Sequence, residues 1–156
     1  MPATSASTTL TFATPSAAFL SRRPAWQVSY LSGLAASVVA EAWGLAARAA
    51  GVPMRAAGFG AQHATPITVG MFAMGTMVVI FWFTFAVIAI ARFAKHPKRA
   101  YLRTALPLLA VSLVVPLTAA DTATSTKLTL AAAHLIAGAV IIPAVAWRLS
   151  DRRSAG

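Results

Sequence analysis

Cysteine is absent from the chain. That excludes disulfides, thiolate metal sites and a cysteine nucleophile. Charge is scarce: 10% of the 156 residues are charged, against about 25% in a soluble domain. Acidic residues number three, and so do histidines. No phosphate loop, zinc motif or nucleophile elbow occurs. A four-helix haem protein needs paired histidines at membrane depth, and only His134 qualifies, so bis-histidine haem has no support. No catalytic residue, metal site or cofactor is assigned, and the chain is not expected to be an enzyme.

What is present is apolar. The chain is 58% hydrophobic, with a mean hydropathy of +0.73. Four stretches, roughly Ala25–Ala50, Ile67–Ala91, Thr104–Ala120 and Leu128–Trp147, carry that character. Each is about long enough to cross a hydrocarbon core of about 30 Å. They predict an all-α membrane protein, an antiparallel four-transmembrane-helix bundle with short connections. The expected organisation is a disordered cytoplasmic tail over residues 1–24, the bundle over 25–149 and a short basic tail over 150–156. The Ser/Thr/Ala-rich Met1–Ser21 segment has neither the basic start nor the apolar run of a secretory signal. Ser21-Arg22-Arg23 resembles the start of a twin-arginine signal, but Pro24-Ala25-Trp26 departs from it.

The net charge of +10 is explained by topology rather than by nucleic acid. Ten basic residues fall on one side: Arg22 and Arg23 before the first span, five from Arg92 to Arg103, and three from Arg148 to Arg153. Only Arg48, Arg55 and Lys127 fall on the other. The positive-inside rule then puts both termini and the Arg92–Arg103 loop in the cytoplasm, in a multipass protein of the plasma (cytoplasmic) membrane. That loop also suits anionic head groups. The outer loops are read as Gly51–Pro66 and Asp121–Lys127.

Within the spans, Trp26 and Tyr30 sit where interface anchors belong. Ser29, Gly33, Ser37, Ala40 and Gly44 recur at spacings of three and four, a small-residue face suited to close helix packing. Phe81, Trp82, Phe83 and Phe85 point around their helix, so some face lipid. Met71, Met74 and Met77 form a stripe that, without cysteine or a nearby histidine, reads as packing. Pro107 is placed close to the first turn of the third span, Pro116 near its outer end, and Pro143 inside the fourth.

Glu41 and His134 are the ionisable residues well inside the spans, and such groups are costly in lipid. At 1.5 Å per residue they lie about 13 and about 10 Å below the same face. They form a candidate intramembrane ionisable site, a carboxylate beside an imidazole. Other readings stand beside it: Glu41 pairing with Arg48, seven residues on, or His134 bonding locally as helix glue. Arg48 and Asp121 form a candidate outer-face ion pair between span one and the last outer turn. His63 is expected to be solvated.

Several segments carry a resemblance. Leu128-Thr129-Leu130, His134-Leu135-Ile136, Val140-Ile141-Ile142-Pro143-Ala144 and Arg148-Leu149, with Pro66-Ile67-Thr68-Val69-Gly70 and the stretch from Pro116 to Asp121, are similar to small four-span proteins common in actinobacteria, the family of unknown function DUF6069. The resemblance covers most of residues 28–149. It implies a membrane protein and brings no site residues. The expected function is therefore association in the bilayer, as an accessory or interaction subunit of the cell envelope, with a membrane-protein partner or further copies of itself. The alternative is a small proton-coupled carrier or ligand-binding bundle using Glu41 and His134. An intramembrane enzyme acting on lipid or quinone ranks last, because one acid and one histidine are a thin constellation.

Overall fold

Proline and glycine mark where helices begin. Pro24 precedes α1 (Ala25–Ala49), Gly70 at φ 92° precedes α2 (Met71–Phe93), and Pro97 opens α3 (Pro97–Thr118). A turn containing Asp121 at φ 45° leads into α4 (Thr124–Ser150). The computed structural model describes residues 22–58 and 60–150. The tail assigned to Met1–Ser21 lies outside them, as do Phe59 and the residues from Asp151 onward.

All four helices are long and apolar enough to cross a membrane. At 22 to 27 residues they measure about 33 to 40 Å, somewhat longer than the hydrocarbon core. The chain is thus a membrane-embedded four-helix bundle.

Three helix starts differ from the sequence reading, the second helix beginning at Met71 rather than Ile67. The third helix starts at Pro97 rather than near Thr104, so the expected Arg92–Arg103 loop shrinks to residues 94–96. Proline fits the first helical position because the amide it lacks would be unpaired there anyway. Hydropathy marks where lipid begins, whereas a helix continues past that line on its own hydrogen bonds. Lys98, Arg99 and Arg103 ride on the first two turns, where long cationic side chains reach the interface. Pro107 is consequently the eleventh residue of α3, in its interior rather than its first turn. The fourth helix likewise begins at Thr124, four residues before Leu128.

The loop between α1 and α2 contains structure that hydropathy does not signal. Arg55–Ala56 and Thr65–Pro66 pair antiparallel as β1 and β2, a minimal hairpin over the end of the bundle.

α1 is the central helix. It packs extensively against α2 and α4, α3 leans on α4, and α2 and α3 touch little. The small face of α1 makes this possible: Ser29, Gly33, Ser37, Ala40 and Gly44 are all buried. A Cβ on Gly33 would come within 2.5 Å of Ile80 Cγ2, and one on Gly44 within 2.9 Å of the Phe72 ring. Gly138 receives Leu109 in the same way, at 2.8 Å, where α4 meets α3. Van der Waals packing of this kind replaces the hydrophobic effect as the glue between helices in lipid.

Hydroxyl groups are satisfied locally. Thr84 donates to Ile80 O at 2.7 Å, so its oxygen accepts from Ser29, 3.1 Å away on α1. Ser32 and Ser37 return their protons to carbonyls of their own helix. One apolar cluster, containing Val28, Val87, Tyr101, Val145 and Leu149, fills the end nearer the basic residues. A second, containing Ala40, Phe72, Ile67, Met54 and Ala133, lies beneath the hairpin. Of the aromatic run, Phe83 turns inward to within 5.9 Å of the Tyr101 ring, while Phe81, Trp82 and Phe85 are exposed on the outside of α2.

Candidate functional site

Gly70 has no side chain with which to cap α2, and α2 has no acidic residue in its first turn. The free amides of that turn need an acceptor. Glu41, projecting from α1, supplies it. Its Oε1 accepts from Gly70 N at 2.7 Å and its Oε2 from Ala73 N at 3.1 Å. A carboxylate is well suited to this place, because the amino end of a helix carries partial positive charge.

Arg48 lies two turns along the same face of α1. Its Nη2 donates to Ile67 O at 2.8 Å, while its Nε is buried without a partner among the described residues. Glu41 and Arg48 therefore grip the same incoming segment, at residues 67–73, one through its amides and the other through a carbonyl. The sequence reading that paired them with each other is replaced by this arrangement. The seven-residue spacing matters because it puts both on one face, not because they meet.

His134, on α4, sits half-buried with Nδ1 2.7 Å from Leu130 O. A carbonyl only accepts, so Nδ1 carries the proton in this contact and Nε2 is the second, acceptor nitrogen of the neutral ring. Among the described residues, Glu41 and His134 do not form an ion pair. Each is held by backbone groups instead. Similar depth did not bring them together, because Glu41 faces α2 whereas His134 shares its face of α4 with Gly138, which meets α3.

Arg48 and Asp121 are likewise not joined directly. Asp121 Oδ2 accepts from Ala64 N at 3.0 Å. Thr122 Oγ1 accepts from Ala57 N at 3.1 Å, and Thr126 Oγ1 donates to Pro53 O. Within the hairpin, Arg55 donates to Ala64 O at 2.8 Å. The polar groups at this end converge on the hairpin loop and fasten it to α1 and to the turn before α4. His63, at the exposed side of that loop, is solvent-facing as expected.

Sequence reasoning offered local bonding to a carbonyl for His134, which is what Leu130 O provides, but it missed the backbone partners of Glu41, Arg48 and Asp121, and it missed Trp43. The indole of Trp43 donates to Thr129 O at 3.0 Å, tying α1 to α4. The available signal was the lone Gly70 before an apolar run: a helix start without Ser, Thr, Asp or Asn needs its acceptor from elsewhere.

Two surface clefts occur elsewhere. One of about 210 Å³ lies between the hairpin and the end of α3, and one of about 220 Å³ lies between the start of α1 and the end of α2. Neither is lined by Glu41 or His134. Fold and site together define a four-span membrane protein whose described acidic groups bind its own backbone. A family model matches residues 20–151, and the chain belongs to that family, the family of unknown function DUF6069. No curated protein and no solved structure matches it.

Proposed function

We propose that the protein works by association within the bilayer, as an accessory or interaction subunit of the cell envelope, and that it is not an enzyme. The observation that carries this reading is the engagement of Glu41. Both carboxylate oxygens are committed to α2 amides, so the residue holds two helices together rather than facing a substrate path. Lipid-facing surface is plentiful for a partner helix, since α2 and α3 bury little of their apolar length.

The positive-inside rule adds an orientation, with both termini and residues 94–96 in the cytoplasm of a plasma-membrane protein. The cysteine-free chain makes this direct to test. His63→Cys should react with an impermeant maleimide on intact cells, and Lys95→Cys only after the membrane is opened.

Association is tested by measuring the particle mass of the purified protein in mild detergent and in nanodiscs. A defined complex, with a second copy or a stoichiometric partner, is the expected result. The reading fails if the protein is monomeric throughout and, reconstituted alone in liposomes, carries a pH-dependent flux that His134→Ala abolishes without unfolding it.

A further inference from the structure

The two ends of the bundle differ sharply in charge. Eight described basic residues, from Arg22 to Arg148, gather at the end away from the hairpin. The two described acidic residues, Glu41 and Asp121, are at the hairpin end, each accepting backbone N–H groups there. At the basic end a cleft of about 220 Å³ separates the first turn of α1 from the last turns of α2. Its walls are Pro24, Ala25, Trp26, Ile88 and Ala91, and Arg92 stands at its edge.

Position, shape and charge select one occupant. The cleft joins helix ends at the level where the bundle leaves hydrocarbon, a level marked by the exposed rings of Trp26 and Tyr30. Its walls are apolar, so an acyl-chain segment fits where water is poorly accommodated. Its rim is cationic: Arg92 is exposed, Arg22 and Arg23 immediately precede Pro24, and Arg148 donates to the Arg23 carbonyl, which brings a further guanidinium alongside. We propose that this cleft binds an anionic phospholipid, with an acyl segment against Ile88 and Ala91 and the phosphate held by Arg92 and Arg22, while Arg23 is engaged with Gln27. Arginine suits this task because its planar fork matches phosphate oxygens. The site depends on membrane embedding and is independent of the association role, so either can fail without the other.

Native mass spectrometry of protein released from nanodiscs of mixed phosphatidylglycerol and phosphatidylcholine tests the proposal. The wild type should retain phosphatidylglycerol in preference to phosphatidylcholine. Arg92→Gln should lower retention about fivefold, the effect of one basic contact at an anionic surface. Ile88→Trp, which fills the cleft and leaves charge unchanged, should lower it as well. Lys95→Gln, outside the cleft, should change it little. Equal retention of both lipids overturns the site. So does a loss on Lys95→Gln as large as on Arg92→Gln, which is diffuse attraction, or full retention by Ile88→Trp. Displacement of the lipid by millimolar inorganic phosphate would mean a phosphate site rather than a lipid site, and would also overturn it.

Discussion

Glu41 caps a helix that is not its own: its carboxylate spans Gly70 N and Ala73 N at the start of α2. Two charge-assisted hydrogen bonds and a favourable interaction with the helix dipole converge on one side chain. Glu41→Ala should cost about 2 kcal/mol, in the range of a lost cap with its amides left unpaired. Glu41→Gln keeps one acceptor oxygen and should cost about half of that. Thermal unfolding in detergent, followed by circular dichroism, checks the order. Equal stability of wild type and Glu41→Ala would remove the capping role.

Helix packing makes a prediction that depends on position rather than residue type. Gly33→Ala drives a methyl group into Ile80, and Gly138→Ala drives one into Leu109. Each should destabilise by about 1–3 kcal/mol, the usual cost of overpacking. Gly75 is also inside a helix, but a Cβ there meets nothing within 4 Å. Gly75→Ala should therefore stabilise, by up to about 1 kcal/mol, because alanine loses less backbone freedom in a helix. The three alanine variants, melted side by side in one detergent, separate the two effects by sign.

Tyr101 is fully buried, and its hydroxyl has no hydrogen-bond partner among the described residues. A buried unpaired hydroxyl costs free energy that a phenyl ring of the same shape does not. Tyr101→Phe should keep the contact with the Phe83 ring, 5.9 Å away between centroids, and raise stability by about 1 kcal/mol. A clear loss of stability on this substitution would mean that the hydroxyl is engaged after all.

The architecture was legible because lipid imposes a simple rule. Backbone groups must be satisfied internally, so long apolar runs become helices. The small face from Ser29 to Gly44 was readable for a similar reason, since its spacing alone places it on one side of α1. The ends of α3 and α4 were not, because Lys98 or Ser125 in a helix costs hydropathy but no hydrogen bond. The site was half legible. Glu41, Arg48, Asp121 and His134 stand out as residues needing partners, yet for all but His134 the sequence points only to other side chains. The structure answers with backbone atoms of Gly70, Ala73, Ile67, Ala64 and Leu130. Backbone groups are the same at every residue, so sequence marks open ones only at helix starts that lack a capping side chain, as at Gly70, and not at carbonyls such as that of Ile67.

The hairpin should loosen as a unit. Asp121, Thr122 and Thr126, all close in sequence, reach Ala64, Ala57 and Pro53 across the loop. Between Met54 and Ile67 the buried residues of the described loop are small, Ala57 and Ala64, so removing one of these bonds should raise its local opening without unfolding the spans. Asp121→Ala loses the acceptor for Ala64 N and places alanine at φ 45°, a conformation that asparagine tolerates and alanine does not. Amide exchange of residues 55–66, followed by mass spectrometry in nanodiscs, should accelerate by about tenfold, the equivalent of about 1.4 kcal/mol for one lost charged hydrogen bond. Asp121→Asn keeps both an acceptor oxygen and the backbone preference and should exchange nearly as the wild type does. Acceleration confined to the hairpin, with α1 and α2 unchanged, is the pattern a clamp produces. Acceleration spread through all four helices would instead make Asp121 a determinant of the bundle itself.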